Sequence, residues 1–161
     1  MIDPSTGELR FNDGALRLGP ETTPASLAGQ GAREGDGPAL VASMRTLRLE
    51  GLRSNEGAVF SAHLDFLKDR LTAARLMAVG GSFPPDLSDW DLMREMARHD
   101  FHCLWVRRQL GWLWRLRRYA WGRTQALCGR NLDETPRLSI VKVAYVEFEA
   151  IEAAIARDFS P

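Results

Sequence analysis

Lysine is nearly missing from this chain, with two residues against nineteen arginines. Cysteine is as scarce: Cys103 and Cys128 are the full set. That excludes a disulfide-knit scaffold, which packs more cysteines into a shorter chain, and both thiols are expected to be free in a reducing compartment. No apolar run approaches the roughly 20 residues of a membrane-spanning helix, so no membrane partner is expected. The opening Met1-Ile2-Asp3-Pro4 has neither the basic start nor the apolar stretch of a secretory signal. A cytoplasmic location is the resulting expectation. Net charge is zero, which counts against nucleic acid as a general partner.

Catalytic signatures are missing too. There is no Gly-x-Ser-x-Gly elbow, and no serine or cysteine comes with an ordered histidine and aspartate. The glycine-rich stretch 29–37 lacks the lysine and hydroxyl residue of a phosphate-binding loop, and no dinucleotide fingerprint occurs. Cys103 beside His102 makes no dyad, because neighbouring helical residues point about 100° apart. Each cysteine reads as a small apolar core residue. Glu95, His99 and His102 share one helical face by their spacing, which could supply half a metal site. The His-Glu-x-x-His zinc pattern is absent and no second ligand cluster is evident, so a polar helix face is preferred. The expectation is a protein that is not an enzyme and holds no metal or cofactor.

What is present reads as one α+β domain spanning 1–161, a normal domain length. Leu9 and Phe11, then Leu16 and Leu18, alternate with polar residues around Asp13-Gly14, a hairpin signal. Thr22-Thr23-Pro24 opens a short helix, and the glycines of 29–38 make a loop. Three strands follow over 40–80. Phe60, Ala62, Leu64 and Phe66 alternate with Ser61, His63 and Asp65, the clearest period of two in the chain. Ser54 to Gly57 and Lys68-Asp69 supply the turns. After Pro84-Pro85 a long helix is predicted, capped at Asp86 or Ser88, stopped at Gly111, with Met93, Met96, Ala97, Leu104 and Leu110 as its buried stripe. Strands at 117–128 and 137–145 come next. A last helix over 147–159 carries Phe148, Ile151, Ile155 and Phe159 on one face. The predicted order is ββ-α-βββ-α-ββ-α, a mostly antiparallel sheet with helices packed on it.

Residues 101–130 resist a bland reading. Seven arginines and no acid are interleaved with six aromatics, and three of the five tryptophans lie within 112–121. Three readings compete. The arginines could be spent on tryptophans and on the acids of the flanking stretches, leaving a purely structural cluster. Guanidinium groups and stacking rings could bind nucleic acid. Or Trp112, Trp114, Arg115, Arg117, Arg118, Tyr119, Trp121 and Arg123 could anchor a protein partner, because Trp, Tyr and Arg are the usual hot-spot residues. The protein-binding reading is adopted, with nucleic acid binding or a purely structural role as the alternative. It requires the indoles to be accessible and favours an acidic partner surface. The oligomeric state is not legible.

One resemblance bears on the partner. Asp3-Pro4-Ser5-Thr6-Gly7-Glu8-Leu9-Arg10-Phe11, then Leu16 and Leu18, then Thr22 to Leu27, resemble the start of a widespread group of small bacterial proteins. In that group a hairpin leads into a short helix. Tyr119 with Trp121-Gly122, and Ser139-Ile140 with Tyr145, are similar to its later motifs. This chain departs from the group at Ala120 and Gly129, and in its residues after Tyr145. Members are often encoded beside polymorphic or contact-dependent toxins and are regarded as immunity proteins. The resemblance therefore implies a cognate toxin as partner, neutralised by direct binding, and it carries no functional residue over.

Overall fold

The computed structural model describes residues 1–35, 44–81, 83, 91–116, 118–127 and 138–145, the side chain of Leu116 aside. Eight strands and one α-helix are found among them: β1 (Leu9–Phe11), β2 (Leu16–Leu18), β3 (Arg33–Glu34), β4 (Met44–Arg53), β5 (Val59–Leu67), β6 (Arg70–Ala78), α1 (Leu92–Leu110), β7 (Arg123–Leu127) and β8 (Ile140–Ala144). β1 and β2 form a two-stranded sheet of their own. The other six make one antiparallel sheet in the order β3-β4-β5-β6-β8-β7. The α+β class and the antiparallel sheet agree with the sequence.

The turns follow from local chemistry. Lys68 and Asp69 both sit at positive φ between the paired Leu67 and Arg70, the backbone that a two-residue hairpin matching the strand twist requires. In the first hairpin Phe11 pairs with Leu16, and Asn12, Asp13 and Gly14 all take positive φ. The Asn12 Oδ1 accepts from the Arg53 backbone N–H at 2.9 Å, which fixes the small sheet to the large one.

The predicted order is corrected in three places. The stretch after Pro24 is only a single 3-10 turn, Ala25–Leu27, because Leu27 is its one buried anchor. The glycine loop contains the short strand β3, paired to Leu47 and Arg48 of β4. β7 starts at Arg123 rather than near 117, because Trp114 to Leu116 form a 3-10 turn and Tyr119 and Gly122 close a tight bend. One α-helix is found among the described residues, where three were expected. The predicted helix over 147–159 lies outside the described residues.

Core formation follows the alternation. Phe60, Ala62, Leu64 and Phe66 of β5 are all buried, together with Leu47, Leu49, Leu76, Val141 and Val143 of the neighbouring strands. Ile2, Leu9, Phe11 and Leu18 join the same core from the small sheet. Trp105, Val106 and Leu110 enter it from α1, with the Trp105 and Phe60 rings 4.9 Å apart. Each such buried side chain is worth roughly 1.5–3 kcal/mol of removed apolar surface. The other face of the sheet aligns Arg48, His63, Arg75, Lys142 and Gln125 in one row across β4, β5, β6, β8 and β7.

Candidate protein-docking face and the polar cluster beneath it

Helix α1 begins at Asp91, whose carboxylate accepts from the Arg94 N–H at 2.9 Å, an N-cap that satisfies one orphan donor. The expected caps Asp86 and Ser88 lie outside the described residues. Gly111 stops the helix at φ 85°, its N–H donating to the Arg107 carbonyl.

The face that α1 turns to the sheet is the reverse of the one its apolar spacing predicts. Glu95, Arg98 and His102 are buried with Trp105, Val106 and Leu110. Of the predicted stripe only Leu110 is inside. Met93 is 70% exposed, and Met96, Ala97 and Leu104 also face outward. The cause lies in groups remote in sequence. Glu95 pairs with Arg98 at 3.1 Å and accepts the Ser139 backbone N–H at 2.7 Å. His102 Nε2 accepts the Ala78 N–H at 3.0 Å at the end of β6. A backbone N–H can only donate, so the imidazole proton sits on Nδ1, which faces Ser139 Oγ at 3.3 Å. That hydroxyl in turn donates to the Leu127 carbonyl of β7. The cluster thus staples α1 to β6, β7 and the start of β8 through buried groups that would be costly to leave unpaired. Arg98 also lies over the Phe83 ring at 5.5 Å, and burial lowers its pKa against the opposing pull of Glu95.

Burial, followed by the Arg98 and His99 charges, pulls the His102 pKa from 6.5 to about 3. His102 therefore stays neutral in the fold while its unfolded counterpart takes up a proton below about pH 6.5. Between those values the unfolded state binds more protons, so stability falls as pH falls, by about 1.4 kcal/mol per pH unit for this one group. Urea unfolding at pH 6, 5 and 4 is expected to show a steeper loss for the wild type than for His102→Gln. Parallel pH profiles would contradict the assignment.

The glutamate–histidine trio considered as half a metal site is divided by this packing. Glu95 and His102 face the sheet, while His99 turns to Cys103, its Nε2 3.4 Å from Sγ. Among the described residues no three histidine, cysteine or acidic side chains converge as a metal site.

The residues proposed as partner anchors separate. Trp112 is 69% exposed, and the Arg107 guanidinium lies 3.3 Å from its ring centroid. Arg115 and Arg118 are exposed. Trp114 and Trp121 are buried, at 4% and 8% exposure, so two of the three clustered indoles are withdrawn from the surface. Tyr119 is half-buried and stacks on Trp121 with centroids 4.8 Å apart. Arg123 is half-buried on β7, and Arg117 lies outside the described residues. Arg108 is engaged by Glu56 at 3.1 Å.

Sequence reading missed two features. One is the outward apolar face itself: Met93, Met96 and Leu104 continue at the corner after α1 into Trp112 and Leu113. The other is the contact of His99 with Cys103, which the i, i+4 spacing could have revealed. Cys103 is only half-buried, which corrects its reading as a core residue.

Comparison with known families, curated proteins and solved structures finds no match. Pro4, Gly7, Tyr119, Trp121 and Tyr145 meet in space. Trp121 lies on Gly7, and its indole N–H donates to the Pro4 carbonyl at 3.1 Å. The hydroxyl of half-buried Tyr145 donates to the Gly7 carbonyl at 3.0 Å, and burial with the nearby Glu8 raises its pKa. These motifs fasten the first turn of the chain to the end of β8. Their work is structural, and the surface they leave for contact is elsewhere.

No helix among the described residues is long and apolar enough to cross a membrane.

Proposed function

We propose that this chain works by binding another protein through the outer face of α1 and the Trp112–Leu113 corner. The observation that carries this is the exposure of five large apolar side chains, Met93, Met96, Leu104, Trp112 and Leu113, on one helix and its exit. Large apolar side chains exposed along one face, among charged groups such as Asp100 and Arg107, are the composition of an interaction site. Arg107 and Arg115 flank the corner with Asp100 as the nearby acid. The complementary surface is therefore apolar and bordered by carboxylates. Methionine suits such a face, because its flexible thioether adapts to a partner. The resemblance of the chain ends to immunity-type proteins supports a cognate toxin as that partner. We further infer that binding is non-enzymatic and takes place in the cytoplasm.

The test is calorimetric titration of the purified chain with the product of the neighbouring gene, the proposed toxin. Binding is expected, and Trp112→Ala is expected to weaken it by roughly 30-fold or more, as for a hot-spot tryptophan. Lys142→Gln, on the opposite sheet face, should leave affinity unchanged. No binding, or an unchanged affinity for Trp112→Ala, would overturn the proposal. Association with nucleic acid instead, recognised by a steep loss with salt, would favour the alternative.

A further inference from the structure

Beside Trp112 the surface opens into a pocket of about 430 Å³, lined by Asp100, Cys103, Leu104, Arg107, Trp112, Trp114 and Arg115. The thiol in it is engaged from two sides. Arg115 Nη2 lies 2.8 Å from Cys103 Sγ and donates to it. His99 Nε2, one helical turn back, lies 3.4 Å from the same sulfur. The imidazole can carry its proton on either nitrogen; in the Nδ1–H tautomer Nε2 accepts the thiol hydrogen. One sulfur thus meets a base, a cation and an open cavity, the microenvironment in which a cysteine reacts.

We propose that Cys103 is a site of covalent modification by small disulfides that carry carboxylates. Arg107 and Arg115 supply the cations that would hold those carboxylates, and Leu104, Trp112 and Trp114 the walls against which the carbon chain would lie. Asp100 is the acid in the lining and restricts the pocket to ligands that can keep their charges on the arginine side. In the reaction His99 takes the Cys103 proton and the sulfur attacks one sulfur of the disulfide. A new S–S bond forms as the old one breaks. The departing thiolate carries away the electron pair and receives the proton from His99. The protein thiol is oxidised to a mixed disulfide, the small disulfide is reduced to one thiol, and no other reactant enters.

The modified sulfur would place a charged group beside Trp112, so modification should also weaken partner docking. That consequence rests on the docking reading, whereas the reaction does not and can be tested with no partner present.

The experiment treats the full chain with glutathione disulfide or with the uncharged hydroxyethyl disulfide. The modified cysteine is identified by mass spectrometry of peptides, with Cys128→Ser as the working background. The expected result is mixed-disulfide formation at Cys103, with glutathione disulfide favoured about tenfold or more over the uncharged reagent, relative to their ratio on free cysteine. That is the scale of one charge-assisted hydrogen bond. Arg107→Gln with Arg115→Gln, both exposed positions, should abolish the preference, and His99→Gln should slow both reagents about tenfold or more. A Cys103 that reacts no faster than free cysteine and shows no charge preference would overturn the proposal. So would a preference that survives loss of both arginines. Retention of the native circular dichroism spectrum in each variant ensures that these rates report on the pocket.

Discussion

Glu95→Ala is expected to destabilise the fold by about 3–5 kcal/mol, the range for removing one partner of a buried ion pair. The size follows from what is left behind. Arg98 is fully buried and has Glu95 at 3.1 Å. Without that carboxylate the guanidinium loses an ion-pair partner in the interior, and the Ser139 N–H loses its acceptor. Out of a total of 5–15 kcal/mol for an ordinary domain, such a loss brings the chain close to unfolding. The double replacement Glu95→Leu with Arg98→Met removes both charges and should recover part of the loss, because an apolar pair of similar volume replaces a buried ion pair at little or no cost. Chemical denaturation of the two variants checks this. A single variant costing less than about 1 kcal/mol would contradict the role given to this pair.

Gly122→Ala is the second large effect. Gly122 sits at φ +134°, and a Cβ there would overlap the carbonyl of Ala144 in β8. β7 pairs with β8 in the adjoining register, Arg123 opposite Ala144, so relief of the overlap means parting the edge of the sheet. Backbone strain of this kind and overpacking each cost about 1–3 kcal/mol, and here they act at one atom. Gly7→Ala meets the same pair of obstacles, with φ +72° and the Trp121 ring in the space of the new methyl group. Its expected readout is a lowered Tm together with altered tryptophan fluorescence, because Trp121 must shift. Wild-type stability in either variant would remove the argument that these glycines lock the first turn of the chain to β7 and the end of β8.

The sheet was legible wherever a single strand carries the information. The period of two in β5 needs no partner to be read, and neither does the Lys68-Asp69 turn. Gly111 as a helix stop is equally local. The orientation of α1 was not legible, for a physical reason. Apolar spacing identifies the buried face only when the opposing surface is apolar, and here part of that surface is the Ala78 and Ser139 N–H groups. Those lie 24 and 44 residues from the side chains that take them, His102 and Glu95. A charged face inside and a methionine face outside invert the rule. The candidate site inherits the same inversion. The crowding of tryptophan and arginine points to the corner after α1, where Trp114 and Trp121 pack inward while Trp112 alone of that trio stays exposed. Met93, Met96 and Leu104 were assigned to the core and are instead the larger part of the surface proposed for docking.

Peroxide footprinting of the methionines, alone and with the product of the adjacent gene added as the proposed partner, tests the docking face most directly. Met93 and Met96 should oxidise well ahead of the buried Met77, and both should be shielded in the complex. Equal oxidation of all three in the isolated chain, or outward methionines that react as fast with the partner as without it, would contradict the account.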